Sequence, residues 1–303
     1  TFSAAHSITV NPVSVGGTLS GTFTQICVGD PTGTMTLTGY TGTINKWQVS
    51  TDGGATWTDI ANTAATYSET PLGAGTYDYR VEVQSGNCPA AYSNNYTIVV
   101  NPTSVGGTVT GTNTEICLGD ATGTLTLAGH VGNIVKWQRS SDGGTTWTDI
   151  ANTTTTHSET PVVAGTWEYR AVIQSGVCPA TNSASHTITV HPASVGGTVT
   201  GSNTEICLGA GTGTMTLAGH TGNITRWQVS TDGGTTWSDI ANTTTTHSET
   251  PAVAGTYMYR AEVQSGTCAA AFSAAHTITV YPVSVGGSVS SATTEICLGD
   301  ATA

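Results

Sequence analysis

The sequence keeps a period of 90 residues without a single insertion or deletion. Cys27, Cys117, Cys207 and Cys297 share one phase of that period, Cys88, Cys178 and Cys268 a second, and Trp47, Trp137 and Trp227 a third. Pro12, Pro102, Pro192 and Pro282 mark a fourth. An unbroken period of this length means that one structural unit is built several times, so every motif inside it must first be read as part of that unit. By this register residues 12–101, 102–191 and 192–281 are three whole repeats. Residues 1–11 read as the last strand of a preceding repeat and 282–303 as the first strands of a following one, which makes a window cut from a longer array the expectation.

Inside a repeat the pattern is that of short strands. In the second repeat GTVTG (107–111), TLTLAG (124–129), NIVKWQRSS (133–141), TWEYRAVIQSG (166–176) and HTITV (186–190) are rich in Thr and β-branched residues. Gly, Asn and Asp punctuate them. No stretch shows apolar residues recurring at the spacing of a helix face. About seven strands with turn signals every 8–12 residues predict a β-sandwich, so the expected fold class is all-β: tandem immunoglobulin-like sandwiches. Alternation places the core. Tyr77, Tyr79, Val81 and Val83 should share the inner face, with Asp78, Arg80 and Glu82 outside. Trp47, Trp137 and Trp227 should point inward, while Lys46 and Gln48 point out.

The order GTVTG…EICLGD…LTLAG…KWQRSSDGGTTWTDI…YRAVIQSGVC…HTITV resembles tandem Ig-like repeats of very large secreted and cell-surface bacterial proteins, especially from Bacteroidota. The resemblance spans all three repeats. It implies stalks, adhesin shafts or fibre-forming segments.

STDGGATWTDIAN (50–62), with its copies at 140–152 and 230–242, carries the Ser-x-Asp-x-Gly-x-Thr-Trp pattern of the Asp-box known from sialidase propellers. Here it falls between two strand patterns, and its recurrence once per repeat marks it as a hairpin turn. Asp52, Asp142 and Asp232 should accept backbone N–H groups across the turn, two glycines supply positive φ, and Trp57, Trp147 and Trp237 pack over it. The arginine cluster and acid–base set of a sialidase are missing.

In an exported protein the cysteines should be oxidised. Pairing within repeats, as Cys27–Cys88, Cys117–Cys178 and Cys207–Cys268, is the favoured expectation and would stabilise each sandwich by about 4 kcal/mol through loop closure. The alternative joins neighbours, as Cys27–Cys178 and Cys117–Cys268, because the two cysteines of one repeat lie at opposite ends of an immunoglobulin topology.

The other titratable groups point away from catalysis. His130 and His220 align with Tyr40, His157 and His247 with Tyr67, and His186 and His276 with Tyr96, which fits half-exposed aromatic positions better than metal ligands. Asp30, Asp59, Glu69 and Asp120 lack calcium-loop spacing, and Asp120 becomes Ala210 one repeat later, so no cofactor is expected and structural calcium is the weaker alternative. A Lys–Asn isopeptide fails because Lys46 and Lys136 are followed by Arg226. Seven Lys and Arg residues against a net charge of −12 disfavour nucleic acid and anionic membranes, and no apolar run is long enough to insert into a bilayer. The expected function is a non-enzymatic extracellular or cell-surface rod or filament. Its partners would be neighbouring repeats and other copies of the chain. An adhesin whose repeats bind glycan or protein, and a spacer within a secreted enzyme, are the alternatives.

Overall fold

The computed structural model describes residues 2–290, 295 and 297–299. Repeat 1 holds nine strands: β1 (Thr18–Gly21), β2 (Gln25–Cys27), β3 (Met35–Thr38), β4 (Thr43–Ser50), β5 (Thr58–Ile60), β6 (Thr66–Tyr67), β7 (Gly75–Gln84), β8 (Ala91–Tyr92) and β9 (Tyr96–Asn101). They recur, every boundary shifted by 90 residues, from β10 (Thr108–Gly111) to β18 (His186–His191) and again from β19 (Thr198–Gly201) to β27 (His276–Tyr281). Among the described residues there is no helix, hence none long and apolar enough to cross a membrane. Residues 2–11 form no strand, nor do the described residues beyond Tyr281. The strands expected over 1–11 and 282–303 fall partly outside the described residues.

Two sheets face each other in repeat 1, one in the order β1-β3-β6 and the other β2-β9-β7-β4-β5 with β8 beside β7. The first apolar run is broken at Gly21-Thr22-Phe23-Thr24. Its two halves join different sheets: β1 runs antiparallel to β3, and β2 runs parallel to β9. That split, with two strands of only two residues, accounts for nine strands where about seven were expected. The architecture is an immunoglobulin-like sandwich.

Period-2 alternation fills the interior. Leu19, Met35 and Leu37 from one sheet meet Trp47, Tyr79, Val81, Val83 and Ile98 from the other. Trp47 lies opposite Val81 in the β4–β7 ladder, is fully buried, and donates its indole N–H to the Ala64 carbonyl at 2.9 Å. Tyr67 packs against it with ring centroids 5.5 Å apart. His157 and His247 take that place beside Trp137 and Trp227 at the same 5.5 Å. Their side chains are only 9% and 10% exposed, so this position is deeper than the half-exposed site expected from Tyr–His interchange. The Tyr96 position behaves as one site too. Its hydroxyl donates to Phe23 O at 2.9 Å, and Nε2 of His186 and of His276 meets the matching carbonyls of Asn113 and Asn203 at the same distance.

The chain divides into two compact units. One comprises residues 1–114, 121–160 and 166–189, and the other 115–120, 161–165 and 190–303. The first contains all of repeat 1 and the second all of repeat 3, whose core repeats the first position by position. Repeat 2 is divided between them: residues 115–120, which contain Cys117, and 161–165 group with repeat 3.

Candidate functional site

Two places in each repeat gather polar or reactive side chains: the β4–β5 hairpin and the end where one repeat meets the next. The hairpin is the Asp-box. Ser50 Oγ accepts the Gly54 amide at 2.9 Å and donates to Asp52 Oδ1 at 2.7 Å. Asp52 in turn accepts the Thr56 hydroxyl at 2.5 Å and the Thr56 amide at 2.9 Å. The Thr56 hydroxyl above all, then the Thr56 amide and the Ser50 hydroxyl, hold the Asp52 carboxyl down to about 2. Asp142 and Asp232 are held at about 2 by the same three groups of their own turns. The hydroxyls of Ser50 and Thr56 and the amides of Gly54 and Thr56 all find their partners inside the turn.

Trp57 closes the hairpin, donating its N–H to Gly54 O at 3.0 Å. Arg80, an outward residue of β7, lies 3.9 Å from the centre of the Trp57 ring and 4.1 Å from that of Tyr92. Beneath it Gln48 accepts from Arg80 Nε at 2.8 Å and donates to Asp59 at 2.7 Å. Gln48 therefore faces outward as expected but is buried. Arg170 stacks on Trp147 and Arg260 on Trp237 at 3.8 and 3.9 Å. This cation–π pair was missed from sequence; an arginine at one phase of the period, in every repeat and four residues before a conserved-phase Gln, was the available signal.

A carboxyl held at about 2 in the fold against an ordinary 3.8 stabilises the native state above about pH 3.8, and that contribution is lost as the pH falls toward 2. Asp142→Ala should therefore lower the melting temperature at pH 5 and flatten the acid dependence between pH 4 and 2. Equal acid shifts in variant and parent melting curves would contradict this.

The remaining acidic candidates are scattered. Asp59 takes Lys46 at 2.8 Å, and Glu69 accepts the hydroxyls of Tyr67 and Tyr79 at 2.8 and 2.5 Å. Among the described residues no three His, Cys, Asp or Glu side chains come together in an arrangement able to hold a metal ion.

The second site is the junction. Cys27 is bonded to Cys178 and Cys117 to Cys268, with Cα–Cα distances of 5.1 and 4.9 Å. This corrects the favoured pairing of Cys27 with Cys88, Cys117 with Cys178 and Cys207 with Cys268. Strand direction is the reason. Cys27 ends β2 opposite Asn101, where the chain leaves the repeat, and Asn101 stands one residue beyond the Gly75–Val100 pair at the start of β7. Cys88 follows the far end of β7, where its sulfur lies 3.4 Å from Pro12 O at the chain's entrance. The ten residues of β7 hold them apart by about 30 Å at ~3.3 Å per residue, whereas a disulfide needs Cα atoms within about 7 Å. The second cysteine of the next repeat, Cys178, sits at that repeat's entrance, 3.3 Å from Pro102 O, and so meets Cys27.

The contact around each disulfide is specific. Asn101 Nδ2 donates to Ile26 O at 3.2 Å, the Val28 amide donates to Asn101 O at 2.9 Å, and the Ser175 amide donates to Ser104 Oγ at 3.0 Å. Gly176 has φ of +51°, and a Cβ there would stand 2.2 Å from Asn101 Oδ1. At the next junction His191 covers Gly266 in the same way and meets Glu115 at 3.2 Å. Gly176→Ala should cost about 1–3 kcal/mol through the left-handed backbone alone, with displacement of Asn101 in addition. A thermal melt no lower than the parent's would contradict this packing.

Beside Cys27–Cys178 lies an apolar hollow of about 500 Å³ lined by Phe23, Gln25, Ile26, Asp30, Pro31 and Val177. Its two large apolar walls are not repeated, since Asn113 stands at the Phe23 phase and Thr267 at the Val177 phase.

Among solved structures, the chain is similar to the FN1–FN3 domains of chicken CNTN1, with 11% identity over 89% of this chain and 99% of that one and a TM-score of 0.30. It is similar to murine CEACAM1b at 14% identity, over 57% and 98% of the two chains, with a TM-score of 0.36. The fibronectin(III)-like modules of Clostridium thermocellum CbhA match at 14% identity over 57% and 94%, with a TM-score of 0.28. A comparison with curated proteins finds no match. One family model matches three times, at residues 15–102, 105–192 and 195–282, once in each repeat. The chain belongs to that family, described as a domain of unknown function, DUF8696.

Proposed function

We propose that this chain is a length of an extracellular rod or filament, without catalytic activity, in which each sandwich is covalently fastened to its neighbours. The observation that carries the reading is the pairing of Cys27 with Cys178 and of Cys117 with Cys268, each joining consecutive repeats. Disulfides persist outside the reducing cytosol, which favours a secreted or surface location. A bond between repeats, unlike one inside a repeat, restrains how neighbours bend and does little else for either sandwich alone. The junction has Pro102 at the linker and the Asn101–Gly176 contact beside it, leaving little hinge freedom. Stalks and fibre shafts of large surface proteins, including those of the Bacteroidota type, are the setting that suits such an array.

An adhesin whose repeats each bind a ligand would need a concave patch in every repeat, and the hollow at Phe23 is not reproduced at the next junction. Electron microscopy of the native material tests the reading. Thin rods with a repeat on the order of 40 Å, the rise of a ten-residue strand plus a junction, are expected. Compact particles, or beads on a flexible string, would overturn it.

A further inference from the structure

The two disulfides share a design but not a cover. On the entrance side their sulfurs are matched: Cys178 Sγ lies 3.3 Å from Pro102 O, and Cys268 Sγ lies 3.3 Å from Pro192 O. Both amides donate at 2.9 Å, to Ser175 O and to Ser265 O. Both residues are buried, at 0% and 3% exposure. Either sulfur therefore leaves, when its bond is broken, into the same surroundings. The exit sides differ. Cys27 is 6% exposed, whereas Cys117, at the same end of its own strand β11 (Glu115–Cys117), is only half-buried.

The sequence accounts for the difference. Beside Cys27–Cys178 the hollow is walled by Phe23, Pro31 and Val177. One period later those positions hold Asn113, Ala121 and Thr267, and Ala269 follows Cys268 where Pro179 follows Cys178. Every change trades an apolar side chain for a smaller or a polar one. Thiol–disulfide exchange requires a thiolate to reach one sulfur, so its rate falls with the cover over that sulfur. A thiolate crossing the apolar rim of the first junction must also shed water, a cost that polar side chains at those positions reduce. Charge acts the other way, but weakly. Glu115 stands at the phase of Gln25 and repels an anion, yet it is half exposed and lies 3.2 Å from His191 Nε2, so solvent screens it.

We infer that Cys117–Cys268 is a redox-sensitive joint, opened by a dithiol reductant under conditions in which Cys27–Cys178 stays closed. The thiolate of the dithiol attacks Cys117 Sγ, the sulfur with the thinner cover. The Cys117–Cys268 bond breaks, and Cys268 leaves as a thiolate and takes up a proton. The new thiol has the Pro192 carbonyl as its acceptor. The second thiol of the reductant then displaces Cys117 from the mixed disulfide. Two electrons and two protons pass to the cysteines, and the reductant becomes a cyclic disulfide. Repeats 1 and 2 remain fastened, while repeat 3 is joined covalently to repeat 2 only through the linker at Pro192. The array thus softens at one joint rather than at both. The inference goes beyond the rod reading, which needs both bonds but no difference between them.

The test uses the whole oxidised chain, exposed to limiting dithiothreitol at neutral pH, alkylated at intervals and mapped without further reduction. The Cys117–Cys268 crosslinked peptide should be lost while the Cys27–Cys178 peptide persists. In urea concentrated enough to unfold the chain, the two should disappear together. Phe23 and Val177 are 46% and 54% exposed, so exchanging them leaves the core intact. Phe23→Asn with Val177→Thr should make Cys27–Cys178 open alongside Cys117–Cys268. The reverse exchange, Asn113→Phe with Thr267→Val, should delay the loss of Cys117–Cys268. Simultaneous loss of both peptides from the folded parent, earlier loss of Cys27–Cys178, a difference that survives in urea, or an order unmoved by the exchanges would overturn the inference and leave the rod reading intact. Absence of both crosslinked peptides before any reductant is added would overturn the two together.

Discussion

Pulled by its two ends, the oxidised chain should extend far less than the reduced one. Force entering before Cys27 passes through the disulfide to Cys178, so the stretch from Cys27 to Cys117 carries no load. From Cys178 it can run backward to Cys117 and cross the second disulfide to Cys268. That path of about 60 residues is shorter than the forward path of about 90, and it limits the release to about 200 Å at ~3.4 Å per residue. With both disulfides reduced, the whole stretch from Cys27 to Cys268, about 240 residues, can be drawn out to about 800 Å. Single-molecule stretching before and after a reductant measures both values. Equal extensions would mean that the bonds do not cross repeats. In a longer array of the same design, each added repeat would expose the same short reverse segment.

Trp137→Ala should cost about 3–5 kcal/mol, the range for truncating a large buried aromatic. Trp137 is fully buried, donates to Thr154 O at 2.9 Å and packs on His157. The substitution opens a cavity between the sheets and leaves the Thr154 carbonyl without that donor. Urea unfolding monitored by circular dichroism should show the loss, with repeats 1 and 3 unfolding later than repeat 2. A variant whose single transition coincides with the parent's would place the indole outside the core.

What could be read in advance divides along a physical line. The period, the inward Trp47, Trp137 and Trp227, and the hairpin reading of Asp52, Asp142 and Asp232 rest on spacings within one strand or one turn, which the local sequence expresses directly. The cysteine partner rests on which way β2 points. The pairing between neighbours stood only as the alternative, and what decides for it is the break at Gly21-Thr22-Phe23-Thr24, which sends β2 into the other sheet, parallel to β9. That places Cys27 at the exit end, a fact set by sheet crossing rather than by local pattern. Gln48 was assigned correctly to the outer face, yet its burial depends on Arg80 and Trp57 arriving from β7 and the hairpin. The Asn101–Gly176 contact was invisible for the same reason: it joins residues of different repeats through a left-handed backbone no motif announces.

The most direct test of the central claim, that repeats are fastened to their neighbours, is a peptide map of the chain digested without reduction after alkylation of its free thiols. The account predicts two crosslinked peptides, Cys27 with Cys178 and Cys117 with Cys268, and alkylated Cys88 and Cys207 in chain kept from oxidants. Recovery of Cys27 with Cys88 and Cys117 with Cys178 would contradict it and reduce the array to independent sandwiches in series.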